Sequence, residues 1–408
     1  MGLLQLVVPV VVFTVVVVML SLLVLAARQW LAPGGMVQIV VNGQRRLTAS
    51  AGGRLLGTLA RNDIFLPAAC GGRGTCGQCR VIVRQGGRPL LPTEASHISR
   101  RDAAEGARLA CMFVVREDLA IEVDRDLLAA GRWECTVREN RFIAPFLTEL
   151  TLAMPEGERL EFEAGDYVLL EAPPHDVTLG EEVIDSAVVD DWRRVGLLGQ
   201  RSVASESVLR AYSLANAPAE SDIAQLIVRF AAPPPDAPPG TPPGKASTYI
   251  FGLRHGDRVT ISGPFGEFHA TDGGGEMVLI AGGAGVAPIR SIILDQLGRG
   301  TGRQLGFWYG ARDVRELCYR EEFDALAQAH PNFRWLSALS APPGGEWQGA
   351  TGFIHTVLYE RYLKNHPAPE KAEYFLCGPP LMSAAVTQML EDLGVPEDRI
   401  HFDDFGSV

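Results

Sequence analysis

Four cysteines toward the beginning of the chain have the residue type and spacing of metal ligands. Three lie in the stretch CGGRGTCGQC and one in ARLACMF, which gives the spacing C-x5-C-x2-C-x31-C over Cys70, Cys76, Cys79 and Cys111. Four thiolates can hold a 2Fe-2S cluster or a tetrahedral zinc ion. Zinc ribbons usually carry two CxxC pairs, and only one occurs here. The glycines at 71, 72, 74 and 77 would let a loop wrap closely around a bulky anion. The pattern therefore predicts a 2Fe-2S cluster, with zinc or unligated thiols as alternatives.

A second set of polar residues lies on a predicted strand and at the start of a predicted helix. The stretch RAYS contains Arg210, Tyr212 and Ser213, and strand alternation would direct Arg210 and Tyr212 to the same face. A forked cation suits a phosphate, an aromatic face suits a planar ring, and a hydroxyl can donate or accept a hydrogen bond. In GKAS (244–247), Ser247 is predicted to cap a helix whose free amides would bind an anion. Taken alone, RAYS fits a half-buried strand with an exposed arginine equally well.

Two glycine-containing turns follow predicted strands near the end of the chain. LIAGGAGVAPI (279–289) follows one strand and opens a helix, and CGPPLM (377–382) ends a later strand. Ligands of parallel, doubly wound sheets lie beyond the carboxyl ends of the strands, although a glycine-rich turn without a ligand is the alternative. Cys377 is interpreted either as a residue near such a ligand or as a buried, inert thiol. Cys135 and Cys318 match no motif and are predicted to be core residues.

The elements that must position these residues form three modules, which differ in their pattern of predicted strands, helices and turns. Residues 35–130 combine a hairpin, a helix and further strands, which predicts a small α+β domain. Residues 131–272 contain short strands separated by turns, which predicts an antiparallel β-barrel. Residues 273–408 alternate strand, glycine turn and helix, which predicts a doubly wound parallel α/β domain.

Two stretches interrupt the predicted barrel. Residues 174–207 form a long insertion that is first acidic and then basic, and residues 233–244 are rich in proline. Proline lacks the N–H that a central strand would donate. We interpret both stretches as excursions on the protein surface.

Residues 1–34 are predicted to be a membrane anchor and linker, with a span at about residues 6–27. These 22 residues carry no charged side chain, and at ~1.5 Å per residue they would reach about 33 Å, enough for a hydrocarbon core of ~30 Å. A cleaved signal peptide is the alternative, but its apolar region is usually shorter. Because Arg28, Arg45 and Arg46 follow the span and no basic residue precedes it, the N-terminus is predicted to lie outside and the remaining domains in the cytoplasm.

Composition supports a multidomain globular protein. A chain of 408 residues exceeds one ordinary domain, and 47% hydrophobic with 21% charged residues argues against long disordered regions. The net charge of -11 argues against a nucleic-acid partner, because such a partner requires a basic face.

The cysteine motif and the barrel motifs resemble two known families. The cysteine spacing is similar to that of 2Fe-2S ferredoxins, with a first gap like that of the adrenodoxin-type branch, which implies a β-grasp fold. RAYS, GKAS and SGPFGEF (262–268), in this order, resemble the flavin domain of the ferredoxin–NADP reductase superfamily. That resemblance implies bound FAD, with Arg210 on the pyrophosphate, Tyr212 stacked on the isoalloxazine and Ser213 near N5. It also implies a second anion site at Gly244, Lys245 and Ser247.

The last module is similar to the nicotinamide-nucleotide domain of the same superfamily. The resemblance rests on the two glycine-containing turns and implies close approach of NADH to Gly282, Gly283 and Gly285. It also implies that Cys377, Gly378 and Pro379 lie near the nicotinamide, and that Phe405 covers the flavin face. Arg312 would meet either a 2′-phosphate or solvent, while the resemblance favours NADH over NADPH.

The order of anchor, ferredoxin domain, flavin barrel and nucleotide domain resembles the family of F subunits of the Na+-translocating NADH:quinone oxidoreductases. This implies hydride transfer from NADH to FAD and then single-electron transfer through the cluster to membrane-embedded partner subunits and ultimately quinone. It also implies a bacterial inner-membrane complex that couples these steps to Na+ translocation. A reductase that feeds an oxygenase is the nearest alternative, although it would need neither the lipid-bilayer anchor nor the insertion. A membrane-anchored zinc-binding adaptor is the alternative from another class.

Overall fold

The computed structural model describes most of the chain and divides it into two compact units. The described residues are 12–23, 35–68, 70–124, 127, 130–234, 236–238, 240–342 and 347–403. The first unit spans residues 1–66 and 79–125, and the second spans residues 67–78 and 126–408.

The predicted membrane span coincides with a helix only in its central part. Residues 12–23 are helical (α1) with exposed side chains. The two flanks of the predicted span, residues 6–11 and 24–27, lie outside the described residues. Within the described ranges, no helix combines the length and hydropathy that a membrane crossing requires.

The first unit is built on a five-stranded mixed sheet with the order β2-β1-β5-β3-β4. Strands β1 and β5 are parallel, and the other neighbours are antiparallel. Asn42 and Gly43 both have positive φ between β1 and β2, which confirms the predicted hairpin. The strands and helices are β1 Met36–Val41, β2 Arg45–Ser50, α2 Leu55–Ala60, β3 Arg80–Gln85, α3 Arg100–Ala104, β4 Ala107–Leu109 and β5 Leu119–Glu122.

The second unit begins with an antiparallel six-stranded sheet with the order β11-β8-β13-β6-β7-β12. An isolated bridge joins Leu214, just after the edge strand β11, to Leu226 in the middle of the other edge strand, β12, which confirms the predicted barrel. The remaining two strands, β9 and β10, pair with each other. The elements are β6 Gly131–Ala144, β7 Leu147–Ala153, β8 Tyr167–Ala172, β9 His175–Leu179, α4 Val189–Arg194, β10 Gln200–Ala204, β11 Val208–Ser213, β12 Ile223–Arg229, α5 Lys245–Gly252 and β13 Arg258–Phe265.

The insertion at residues 174–207 belongs to the core of the barrel, so its interpretation as a surface excursion is wrong. Trp192 on α4 is completely buried, and its ring centroid lies 4.7 Å from that of Phe230 and 5.7 Å from that of Phe251. Its Nε1 donates a hydrogen bond of 2.6 Å to the carbonyl of Pro145. A large aromatic side chain with its polar atom satisfied contributes strongly to a core. The insertion is therefore an integral layer of the barrel.

The predicted capping role of Ser247 is also wrong. Helix α5 begins at Lys245, and Gly244 is the residue that precedes it. The Ser247 hydroxyl donates to the carbonyl of Gly244 at 3.0 Å and accepts from the backbone N–H of Ala231 at 3.2 Å. A serine in the first turn can bond back to the preceding turn in this way. Ser247 therefore connects the helix to the chain after β12.

The chain ends in a six-stranded, entirely parallel sheet with the order β17-β16-β15-β14-β18-β19. Alternate residues of β14 enter two different cores. Leu279 packs in one core with residues of α6 and α7, and Ile280 packs in the other with residues of α8 and α9. Helices therefore cover both faces, as predicted. The elements are β14 Met277–Gly282, α6 Val286–Gly298, β15 Leu305–Ala311, α7 Arg320–Ala329, β16 Phe333–Leu339, β17 Ala350–Thr351, α8 Ile354–Arg361, β18 Glu373–Cys377, α9 Pro380–Asp392 and β19 Ile400–Asp403.

Candidate functional site

Two of the predicted cluster ligands lie in a tight loop of the second unit. The sulfur atoms of Cys70 and Cys76 are 3.3 Å apart. All four glycines of the motif have positive φ, which a close loop around a ligand requires. Hydrogen bonding to Cys76 lowers the pKa of Cys70 to about 3. Hydrogen bonding to Cys70 in turn raises the pKa of Cys76, so Cys70 is the thiol of the pair that ionises readily.

The other two predicted ligands lie in the first unit. Cys79 immediately precedes β3 and Cys111 follows β4. Both are buried, and the carbonyl of Cys79 accepts a hydrogen bond of 2.8 Å from the N–H of Ala110. Among the described residues, no group of three or more His, Cys, Asp or Glu side chains is arranged to hold a single metal ion. A 2Fe-2S cluster uses two protein ligands for each iron.

The strand β11 carries Arg210 as a half-buried cation. Its Nη1 donates to the carbonyl of Leu209 at 2.8 Å and to that of Gly71 at 3.3 Å, and no described carboxylate accepts from it. Burial lowers the pKa of Arg210. A desolvated guanidinium with only neutral acceptors is suited to a phosphate ligand, so this residue fits the pyrophosphate of FAD.

A hydrogen bond joins the predicted flavin strand to the last strand of the parallel sheet. Ser213 is buried, and its hydroxyl donates to Oδ2 of Asp403 at 3.1 Å. The neighbouring Tyr212 packs against the barrel core, and burial raises its pKa. Sequence reasoning missed Asp403, although its position at the end of a parallel strand was an available signal. The predicted residue Phe405 lies outside the described residues.

An open cleft of about 210 Å³ lies beside this hydrogen bond. Its walls include Tyr167, Phe268, His401 and Asp403. His401 Nε2 is buried and has no hydrogen-bond partner among the described residues. A buried nitrogen without a partner is rare in folded proteins and marks a place where a ligand or water completes the site.

The two glycine-containing turns meet at the carboxyl edge of the parallel sheet. A Cβ on Gly285 would lie 2.1 Å from the carbonyl oxygen of Cys377, so only glycine allows this approach. A Cβ on Gly282 would lie 3.1 Å from Cδ of Pro379, and one on Gly378 would lie 3.1 Å from the nitrogen of Gly282. The thiol of Cys377 is completely buried. The turn after β14 also lies where the strand order reverses, which is the usual ligand position in doubly wound sheets.

Sequence reasoning also missed Arg229, the last residue of β12. Its Nη1 lies 3.7 Å from the ideal Cβ position of Gly283, which has a φ of +58°. The guanidinium of Arg229 makes no hydrogen bond or ion pair with the described residues, and desolvation together with the nearby Arg312 lowers its pKa. An uncompensated cation beside a glycine turn suits the phosphates of a dinucleotide. In the sequence, the one feature that could have identified Arg229 was a charged residue at the end of a mostly apolar strand.

The loop after β15 places Arg312 in an ion pair at the protein surface, where its side chain is 63% exposed to solvent. Its Nε donates to Oε1 of Glu316 at 2.9 Å, and its backbone N–H donates to Oε2 of the same carboxylate at 3.2 Å. The Glu316 bonds raise the pKa of Arg312. Its charge is therefore already balanced within the loop.

The remaining cysteines confirm the prediction that they belong to the core. Cys135 and Cys318 are almost inaccessible, at 0% and 2% of their surface. Burial raises the pKa of each thiol to about 12. Neither has the depressed pKa that a reactive thiolate requires.

Three family models match consecutive parts of the chain. The 2Fe-2S iron-sulfur cluster binding domain matches residues 39–116, the oxidoreductase FAD-binding domain matches 197–270, and the oxidoreductase NAD-binding domain matches 279–388. The chain thus combines binding domains for 2Fe-2S, FAD and NAD.

Known proteins resemble the chain over nearly its full length. The F subunit of the Na(+)-translocating NADH-quinone reductase of Neisseria meningitidis is 52% identical over 404 residues, 98% of this chain and 100% of that protein. Its counterpart in Pseudomonas aeruginosa is 50% identical over 396 residues, 97% of each chain. A solved cytochrome P450 reductase from Amycolatopsis is 29% identical with a TM-score of 0.62, covering 90% of this chain and 98% of that one. The chain belongs to the family of F subunits of the Na(+)-translocating NADH-quinone reductases.

Proposed function

We propose that this chain is the electron-entry subunit of a Na+-translocating NADH:quinone oxidoreductase. In this role the barrel residues would hold FAD and the parallel sheet would hold NADH. The FAD would supply the exchange between the two-electron chemistry of NADH and the single-electron chemistry of the 2Fe-2S cluster and the membrane-embedded partner subunits. The observation that carries the proposal is the hydrogen bond between Ser213 and Asp403. It joins the predicted flavin strand to the carboxyl edge of the nucleotide sheet, where a hydride donor would bind.

The barrel residues would bind and orient the flavin. Arg210 supplies a cation without a described carboxylate partner for the pyrophosphate. The first turn of α5, from Lys245 onward, would supply amides for the same group, whereas the amide of the preceding Gly244 already donates to the carbonyl of Ala231. Tyr212 would support the isoalloxazine face. Ser213, oriented by Asp403, would hold a hydrogen bond near N5.

The parallel sheet would bind NADH at its carboxyl edge. The turn that contains Gly282, Gly283 and Gly285 leaves space for the dinucleotide backbone, with Arg229 close to it. The segment Cys377-Gly378-Pro379 would line the nicotinamide pocket. Because the Cys377 thiol is buried, its backbone and shape would contribute more than its reactivity. Phe405 would cover the flavin face.

The four thiols would hold the cluster in two pairs. We propose Cys70 and Cys76 as the ligands of one iron and Cys79 and Cys111 as those of the other. This assignment is supported by the spacing of the motif and by the 3.3 Å contact between the first two sulfur atoms. In the proposed function, the cluster held by these thiols would be the group from which single electrons leave this chain.

The domain boundaries and the membrane anchor are further parts of the proposal. We propose domains at residues 35–130, 131–272 and 273–408, and each of the three family matches lies within one of them. Residues 6–27 would cross a bacterial inner membrane once, with the N-terminus outside and the three domains in the cytoplasm. The uncharged apolar sequence and the arginines that follow it support this topology.

A reductase that feeds an oxygenase is the weaker candidate. The Amycolatopsis reductase is 29% identical, whereas the full-length relatives that are named as F subunits are about 50% identical. The zinc-adaptor alternative is also weaker, because a 2Fe-2S domain model covers the cysteine motif.

The proposed function is tested by anaerobic NADH titration of the purified protein with visible spectroscopy. We expect flavin and 2Fe-2S absorbance, and reduction of both by NADH. Replacement of Ser213 by alanine should slow flavin reduction by at least about tenfold, or about 1.4 kcal/mol, with FAD content retained. The matched control is Ser207→Ala, an exposed serine just before β11. A colourless protein with stoichiometric zinc, or equal rates in both variants, would contradict the proposal.

A further inference from the structure

A buried carboxylate of the inserted segment binds an arginine of the loop that follows β15. The Asp191 side chain on α4 is only 5% exposed. Its Oδ1 accepts from Nη1 of Arg315 at 2.9 Å, and its Oδ2 lies 2.6 Å from Nη2 of the same side chain. Arg315 Nη2 also donates to the carbonyl of Ala187 at 3.2 Å. This two-point geometry makes the contact strong and directional.

Packing of helix α4 in the inserted segment holds Asp191 in a fixed position. Trp192, the neighbour of Asp191, is completely buried and donates from Nε1 to the carbonyl of Pro145. The carboxylate could not move far without withdrawing this ring from the barrel core. Arg194 on the same helix also pairs with Asp191, which fixes the carboxylate further.

The partner loop follows β15, the second strand of the parallel sheet, and carries the carboxylate of Glu316. Arg315 lies in a short 3-10 helix, Val314–Glu316, whose preceding residue Asp313 accepts a bond of 2.8 Å from the Arg315 N–H. Glu316 ends this helix and holds Arg312. In doubly wound sheets that bind NAD, an acidic side chain after the second strand hydrogen-bonds the ribose 2′-hydroxyl.

We infer that Asp191 is a positioning residue for NADH binding. Through Arg315 it holds residues 312–316 in the conformation that presents Glu316 to the adenosine ribose. The inserted segment then acts in nucleotide recognition as well as in the barrel core. This inference rests on the proposed oxidation of NADH and adds a residue that would not touch the nucleotide.

The test compares four variants of the full-length holoprotein. Asp191→Asn removes the carboxylate of the ion pair, and Arg315→Gln removes its guanidinium. The third variant combines both substitutions. Asp190→Asn is the matched control, because its side chain is 88% exposed and, among the described residues, forms an ion pair only with Arg193 on the same helix. We expect each single variant to raise the KM for NADH about tenfold, the effect of one charge-assisted hydrogen bond. The kcat should change less than about twofold, with FAD and cluster absorbance unchanged.

The combined variant should resemble a single variant, because both substitutions remove the same bond. The inference is overturned if Asp191→Asn has the KM of Asp190→Asn, or if the effects of the two single variants simply add. If Asp191→Asn fails to fold, the KM of Arg315→Gln tests the inference instead. The Arg315 side chain is 46% exposed, so its replacement should leave the fold intact. An unchanged KM in Arg315→Gln overturns the inference alone, whereas a parent protein that does not oxidise NADH overturns the proposed function as well.

Discussion

Arg290 on α6 connects the flavin barrel to the nucleotide sheet, and its replacement by methionine should destabilise the second unit. Its Nε and Nη2 donate to Glu322 at 2.8 and 2.7 Å. Its Nη1 donates to the carbonyl of Ala215 at 2.6 Å and to Oε1 of Gln225 at 2.8 Å. The guanidinium also lies 4.7 Å from the ring centre of Tyr319. One side chain thus satisfies acceptors on both parts of the unit.

The expected loss of unfolding free energy follows from the burial of the pair. Arg290 is 12% exposed and Glu322 is 29% exposed. Removing one partner of a buried ion pair costs ~3–5 kcal/mol, since a desolvated charge is left without its partner. Partial exposure of Glu322 places the expected loss near the lower end, about 3 kcal/mol. Methionine retains most of the aliphatic stem, so little of this loss arises from a cavity.

The matched control is Arg299→Met at the end of the same helix. Arg299 pairs with Asp295 at 3.2 Å and is 62% exposed, so its replacement should cost less than about 1 kcal/mol. The assay is urea denaturation of the holoprotein, followed by flavin release and circular dichroism. Arg290→Met should lower the midpoint by about 1 M or more. Equal midpoints for the two variants would refute the reasoning.

Three further predictions concern pH, packing and coenzyme choice. The hydrogen bond of 2.7 Å to Asp166 raises the pKa of His269, so protonated His269 should stabilise the fold fully below about pH 6.5 and lose this effect as the pH rises through the raised pKa. The destabilisation caused by His269→Gln should therefore be largest at low pH and vanish at high pH. A difference in urea midpoint between variant and parent that stays constant with pH would contradict this. Trp192→Ala should lower the unfolding free energy by ~3–5 kcal/mol because it empties the barrel core, and a loss below about 1 kcal/mol in urea denaturation would be inconsistent with that packing. Glu316→Gln should weaken the hold on Arg312 and reduce the ratio of kcat/KM for NADH over NADPH by about tenfold, as steady-state kinetics would measure.

The sequence predicted the elements whose signals are local. Alternating apolar residues, the Asn42-Gly43 turn and the glycine turns identified the hairpin, the six barrel strands and the parallel sheet. The cysteine motif and the turns at 282–285 and 377–379 could likewise be found, because their chemistry requires particular residues at short spacings.

The sequence did not predict features that depend on contacts between distant segments. Trp192 is 47 residues from the carbonyl that it binds, and Asp403 is 190 residues from Ser213. Neither contact produces a periodic pattern near its residues. Ser247 has the type of a capping residue, yet the helix begins two residues earlier, which type and position alone do not distinguish.

The central claim is that electrons enter through FAD and leave singly through the cluster, and the Cys76→Ala variant tests it most directly. The measurement compares NADH-dependent reduction of a hydride-accepting dye with delivery of electrons to the one-electron membrane acceptors, in variant and parent protein with equal FAD content. The account predicts dye reduction within about twofold of the parent, because Cys76 is proposed as a ligand of the cluster and not of the flavin. Electron delivery to the membrane acceptors should be lost. Loss of flavin reduction by NADH in this variant, with FAD retained, would contradict the account.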